Sequence, residues 1–253
     1  MIQNQYSEVE DKQRNYYNQI ARVYDKHHSH PYSLKYRYQV FDGILKNLSL
    51  EGKFALDAMC GGGENSGYFL NRGALLSGVD ISEKQCEIYQ SRYPQCQVVC
   101  SSIFRTPFKP NTFDLVVTES LHHHPPYIFQ GIQEMHRILK PGGIFLVWEP
   151  VSGSILDAAR KLWYKLDRKY FQDNERSVDL IAISEAHKNQ FKLLDCRYGG
   201  NLGFLLVQES MIFRIPTSLV SLYAPTFLML EKWIQKIQTR LTACWVLGLL
   251  KKI

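Results

Sequence analysis

The chain has 253 residues, 45% of them hydrophobic and 21% charged, with a formal net charge of +6. That is enough to bury a sizeable core and too apolar for a disordered protein. No apolar run approaches the roughly 20 residues of a spanning helix, and the start lacks the basic-then-apolar pattern of an export signal, so a cytoplasmic protein is expected.

The charge is uneven along the chain. Residues 1–150 carry 15 Lys+Arg against 15 Asp+Glu, whereas residues 151–253 carry 15 against 9. An excess of this kind marks either an anionic partner or a solvated basic surface. The six cysteines form no CxxC pair, which argues against a zinc ribbon and for buried, reduced thiols.

In chain order, helices are expected at about 12–24 and 33–48. Five short apolar or β-branched runs follow: "KFALDA" (53–58), "ALLSGVD" (74–80), "QCQVVC" (95–100), "FDLVVT" (113–118) and "GIFLVWEP" (143–150). Helix-like segments separate them, the last with Ile128, Ile132, Met135 and Leu139 on one face and a Lys140-Pro141-Gly142 stop. Strands alternating with helices predict an α/β fold with a doubly wound, mostly parallel, Rossmann-like sheet. Helices are expected again at 154–171 and 177–189. "FKLLDCRYGG" and "GFLLVQESMIF" then read as an antiparallel edge hairpin, completing seven strands, and the tail at about 217–250 reads as helix.

In an open α/β sheet, ligands sit beyond the carboxyl ends of the strands. The first loop there is "LDAMCGGGENS", whose glycines let the backbone pass close to a ligand. The second strand ends in Asp80, 23 positions after Asp57, where a carboxylate can accept from both hydroxyls of a ribose. A nicotinamide dinucleotide fits poorly: counting from Gly61, the sixth position of its glycine fingerprint is Ser66. Asp57 suits instead a ligand with an amino-acid ammonium group.

"ALDAMCGGG", "SGVDIS", "TPFKPNTFDLVVTESLHH" and "HRILKPGGIFLVWEP" together resemble the successive motifs of class I S-adenosylmethionine-dependent methyltransferases. The subgroup most similar is the small-molecule type that includes ubiquinone/menaquinone-biosynthesis methyltransferases, and "YYNQIARVYD" is similar to the family's N-terminal helix over the cofactor. The resemblance implies S-adenosylmethionine as cofactor. Asp57 and the backbone from Cys60 through Gly61 to Gly63 would hold its methionine part, and Asp80 its ribose. Ile81, Ser102 and Ile103 would face the adenine, with Tyr17, Tyr24 and Thr118 completing the set. Met59 stands where the family has its first glycine, and Ser102 where it has an aspartate. The implied organisation is lid helices over 1–50, a cofactor-binding core over 51–150, an acceptor-capping insertion over 151–190, the edge hairpin over 191–215 and a C-terminal helical extension over 216–253.

The run "ESLHHHPPY" follows the fourth strand, beside the transferable methyl group. Its Pro-Pro-Tyr lacks the preceding Asn or Asp of the amino-methyltransferase box and starts too late. Three consecutive histidine side chains diverge, which argues against a metal site. His122 or His123 as general base is the remaining sharp reading, packing of the loop the bland one, and His27, His28 and His30 are lesser candidates for the base. The expected activity is methylation of a small, apolar or lipid-like molecule, not of nucleic acid. An RNA or protein methyltransferase and a non-catalytic cofactor-binding partner are the rivals. For the C-terminal helices, with Trp233, Trp245 and a Lys-Lys end, plain packing and peripheral membrane contact both stay open.

Overall fold

The structure, a computed structural model, describes residues 2–119, 121, 127–166 and 176–253. Helices α1 (Ile2–His28) and α2 (Pro31–Leu45) precede strand β1 (Phe54–Ala58). Then come α3 (Ser66–Leu70), β2 (Leu75–Asp80), α4 (Glu83–Arg92), β3 (Gln97–Cys100), β4 (Phe113–Thr118), α5 (Ile128–Ile138) and β5 (Leu139–Pro150). The rest is α6 (Ile155–Leu166), α7 (Leu180–Ala186), β6 (Phe191–Gly199), α8 (Thr217–Gln235) and β7 (Trp245–Lys252).

These strands form one seven-stranded sheet in the order β3-β2-β1-β4-β5-β7-β6. The first five strands pair in parallel, and β7 lies antiparallel to both β5 and β6. Successive residues of each strand feed opposite faces. Leu115, Leu146, Trp148 and Leu247 pack on one side with α2 and α8, while Val116, Phe145, Val147 and Val246 pack on the other with α5. The doubly wound sheet with antiparallel strands at one edge is as expected.

The make-up of that edge is not. Residues 203–213 are not its second strand: Phe204–Gln208 form a π-helical turn. The cause is Glu231 of α8, whose buried carboxylate accepts from the backbone N–H groups of Asn201 (3.1 Å), Gly203 (2.9 Å) and Phe204 (3.2 Å). Three N–H groups gathered on one carboxylate coil the chain. The strand position is taken by β7, from the tail that was expected to be helical. Its Lys252 ammonium is buried and donates to Asn111 Oδ1 (3.0 Å) and to the carbonyls of His136 and Leu139 (both 2.8 Å). The Lys-Lys end is therefore half a clamp on the sheet, and the apolar finish is core. Trp245 Nε1 donates to Tyr36 Oη (2.8 Å), and Tyr36 donates to Glu231 (3.2 Å), so β7, α2 and α8 share one buried chain of hydrogen bonds. Among the cysteines, Cys60, Cys86 and Cys96 are buried but Cys100 is exposed and Cys196 and Cys244 half-buried, which corrects the expectation of uniformly buried thiols.

Candidate active site

Helix α1 crosses the carboxyl ends of the strands and is pinned at two points. Asn18 Oδ1 accepts from Ser82 Oγ (2.6 Å) and Lys84 N (3.1 Å), capping the start of α4 from outside. Asp25 pairs with Arg92, which also donates to the Gly62 carbonyl (2.6 Å). The lid is thus tied to the glycine loop itself.

Beneath it, β1 ends in Asp57. Ser66 Oγ donates to Asp57 Oδ2 (2.7 Å), while the buried Oδ1 has no hydrogen-bond partner among the described residues. Burial pushes the Asp57 carboxyl up to about 8. The loop then turns through Met59 (φ +60°), Gly61 (φ +54°) and Gly63 (φ +90°). Met59 holds the left-handed conformation that a glycine in its place would adopt without cost; a side chain there costs roughly 1–2 kcal/mol. A Cβ on Gly63 would lie 2.6 Å from the Tyr93 ring, so that glycine is demanded by packing against α4 as much as by any ligand.

Two more buried oxygens lack a hydrogen-bond partner among the described residues, although Arg92 Nη1 lies 3.8 Å from the first of them. Glu64 Oε1 sits over the glycine turn, with burial raising its carboxyl to about 7. Thr118 Oγ1, at the end of β4 opposite Ala58, is the other. Asp57, Glu64 and Thr118 thus surround the loop with acceptor capacity that no hydrogen bond among the described residues uses. An ammonium group would satisfy it, because a cation brings buried carboxyls back toward their ionised form.

Asp80 accepts from Gly61 N and Ser82 N (both 2.9 Å), fixing its carboxylate toward a small cleft of about 50 Å³. Each oxygen keeps a lone pair for a ligand hydroxyl. Tyr17, Tyr24, Met59, Gly61, Ile81, Ser102 and Ile103 line the same cleft. Ser102 Oγ already accepts from Phe104 N (3.1 Å), which leaves its proton to donate. Of the residues the sequence singled out, Asp57, Cys60, Gly63 and Thr118 lie behind the cleft and do not line it. Cys60 spends its backbone on Val79 O (3.0 Å) and Gly63 N (2.8 Å). Glu10, Gln13, Gln85 and Phe104 line the cleft and were missed, since polar residues of helices such as α1 and α4 look the same whether they face water or a ligand, and Phe104 reads as core.

Tyr17 and Tyr24 also wall a second, larger cavity of about 310 Å³. Tyr16 of α1, Trp148 at the end of β5, Trp163 of α6, Phe204, Phe213 and Trp245 give it an aromatic lining. Burial holds the Tyr24 phenol well above its ordinary range, so it stays neutral between the two spaces. At the floor, the buried Arg37 pairs with Glu119 and donates to Asn65 Oδ1 (2.8 Å), its guanidinium 5.5 Å from the Trp148 ring centre. Gln208, with its amide oxygen turned to Arg37, accepts from Nη2 (2.6 Å) and Nε (3.0 Å). No sequence signal marked this node, because its members come from five separate segments. Of the lesser histidine candidates, His28 lines the large cavity and is kept neutral by burial and by Arg37; His27 contacts Ser210 Oγ (3.1 Å) and His30 caps α2. His122 and His123 lie outside the described residues.

A methyltransferase-domain family model matches residues 56–147, the stretch that holds Asp57, the glycine loop, Asp80 and Thr118. Residues 56–147 are a class I methyltransferase domain. An uncharacterised methyltransferase of Synechocystis is 39% identical over 104 residues, 40% of this chain and 49% of the relative. The ubiquinone biosynthesis O-methyltransferase of Coxiella burnetii is 28% identical over 137 residues, 53% of this chain and 56% of the relative. The chain spans about half the length of these curated relatives. Over the fold, an S-adenosylmethionine-dependent methyltransferase of Thermotoga maritima superposes with a TM-score of 0.61 at 14% identity, covering 94% of this chain and 99% of that one. The domain's likeness thus extends through the lid and the antiparallel edge.

Proposed function

We propose that this protein transfers the methyl group of S-adenosylmethionine to a small, mostly apolar, lipid-like acceptor. The observation that carries the reading is the adjacency of two unlike spaces. A carboxylate-edged cleft with a glycine turn adjoins an aromatic cavity, and Tyr17 and Tyr24 line both. When bound, the cofactor supplies an electrophilic methyl group on a positively charged sulfur. Asp80 would hold its ribose, Ile81, Ser102 and Ile103 its adenine, and Asp57 with the glycine loop its amino-acid end. The neutral rings of Tyr17 and Tyr24 would face the sulfonium, a contact that attracts a cation.

Across that wall, the cavity offers an acceptor an aromatic surface, with charge supplied by Arg37, Glu119, Glu149, Asp157, Arg160 and Glu209. Enclosure orients the acceptor and excludes water, and positioning alone supplies much of the acceleration of such a transfer. An oxygen or carbon acceptor also gives up a proton. In this proposal it goes to His122 or His123, which follow the cavity residue Glu119 closely in the chain. The name of the Coxiella relative, whose quinone is a lipid, supports the acceptor class.

Incubation with cofactor carrying a labelled methyl group, then extraction of whole-cell material, tests this directly. Label is expected in the organic phase. Label confined to RNA or protein would replace the proposal with one of its rivals.

A further inference from the structure

Helix α8 buries Val220, Ala224, Leu228 and Glu231 against the core. Its opposite face carries Leu219, Leu222, Met229 and Trp233, continued by Ile237 just past its end. At about 100° per residue these five fall within roughly 80° of one another, a single stripe along the helix. It is well out in solvent: Leu222 is 79% exposed, Trp233 67% and Ile237 81%. Nothing among the described residues covers it.

The charges beside the stripe say what does. After Glu209 the chain has six basic residues and a single acidic side chain; of the six, Lys251 and Lys252 belong to β7 and Arg240 pairs with Asp179, which leaves Lys232 and Lys236 on α8. The acidic one, Glu231, is buried on the far side of the helix. Lys232 and Lys236 are exposed along one edge of the stripe, and the Lys236 ammonium lies 5.1 Å from the Trp233 ring centre. An apolar stripe with tryptophan, edged by lysine and with no exposed acid on the helix itself, is the pattern of a helix lying in a lipid interface. Leu241, in the short turn Arg240–Thr242, is exposed as well, and α6, which packs near that turn, exposes Ile155 and Leu162. On the same helix, Trp163 lines the large cavity, stacks edge-on against Phe213 and is still 40% exposed, so it forms the cavity's lip.

We propose that the exposed face of α8, with Ile237 and Leu241, is the surface by which this protein docks on an anionic lipid bilayer, placing the Trp163 lip of the acceptor cavity beside the membrane. The surface stands on its own residues; its use, delivery of a membrane-dissolved acceptor, rests on the proposed function. The terminal residues 245–252 take no part, since they are a strand of the sheet.

Co-sedimentation of the full chain with vesicles decides it. Phosphatidylcholine vesicles containing phosphatidylglycerol should carry the protein down, pure phosphatidylcholine vesicles far less, and added salt should release it. Lys232→Ser/Lys236→Ser and Trp233→Ser/Ile237→Ser should each lower the bound fraction's partition coefficient by about fivefold or more, with unchanged melting and unchanged cofactor affinity. The proposal is overturned if the wild type ignores the mixed vesicles, or if both variants sediment as the wild type does. It is overturned equally if the chain runs as a dimer that Trp233→Ser/Ile237→Ser splits, which would give the stripe to a second copy. A wild type that binds vesicles but not S-adenosylmethionine would remove the proposed function and leave the docking surface standing.

Discussion

The two halves of this molecule are built on different principles. From β1 to β5, each strand pairs in parallel with strands close to it in the chain, and the groups facing the cleft are fixed by backbone. Asp80 is oriented by two main-chain N–H groups, and the glycine turn by its own dihedrals. After residue 150 the contacts are long-range. The aromatic cavity draws its walls from α6, from the turn after Phe204 and from Trp245, and the strand that completes the sheet comes last. A site for one invariant cofactor can be written into main-chain geometry. The aromatic cavity is written in side-chain shape, carried by segments distant in the chain.

Removing residues 245–253 gives the sharpest break in that comparison. It takes away the strand between β5 and β6 together with the Lys252 clamp, so the shortened chain should show no cooperative thermal transition by circular dichroism. A cooperative melt would mean that the parallel half folds without its antiparallel partner.

Arg37, paired with Glu119 in the first half and held by the Gln208 amide of the second, is the joint between the halves. Arg37→Met leaves a largely buried carboxylate without its partner, and denaturant unfolding should register a loss of about 3–5 kcal/mol. Adding Glu119→Gln should recover part of it, because the stranded charge is then gone.

A smaller effect separates the two walls by pH. Asp57, raised to about 8, and Glu64, raised to about 7, bind protons in the folded state at pH values where the unfolded chain has already lost them. Stability without ligand should therefore fall as pH rises from about 5 through 8, and Asp57→Asn and Glu64→Gln should each flatten the curve. The amino-acid end of the cofactor should bind more tightly as these groups ionise. Calorimetry across this range should show Glu64→Gln weakening S-adenosylhomocysteine but not 5′-methylthioadenosine, which lacks that end. Equal losses for both ligands would move Glu64 out of the ammonium site.

Smallest of all is Met59→Gly. Relief of the left-handed backbone and loss of the Met59 side chain oppose each other, so stability should change by no more than about 1 kcal/mol. A large loss would show that Met59 itself is needed to pack the cleft.

How legible each half was in the sequence follows from the same contrast. Strands β1 to β5 announce themselves as short apolar runs between helices, and their carboxyl-terminal loops carry the Gly61–Gly63 turn and Asp80 at spacings that only local geometry sets. "WVLGLLKK" carries no such mark. Buried on both faces, it has no alternation of apolar and polar residues, and a continuous apolar run reads equally as helix. "GFLLVQESMIF" has a strand's composition, but Glu231, far along the chain, takes its N–H groups. The Arg37 node and the lid residues Glu10 and Gln13 depend on which face of a helix meets another segment, and polarity alone does not say.

The central claim is that the Asp80 cleft holds S-adenosylmethionine, and isothermal titration calorimetry on the wild type and Asp80→Ala tests it most directly. The wild type should bind S-adenosylmethionine and ignore nicotinamide dinucleotides. Loss of a doubly hydrogen-bonded carboxylate should weaken binding by about 1.5–3 kcal/mol, roughly 10- to 150-fold, in a variant whose melt stays cooperative. Unchanged affinity in Asp80→Ala, or a wild type that takes up a nicotinamide dinucleotide instead, would contradict the account.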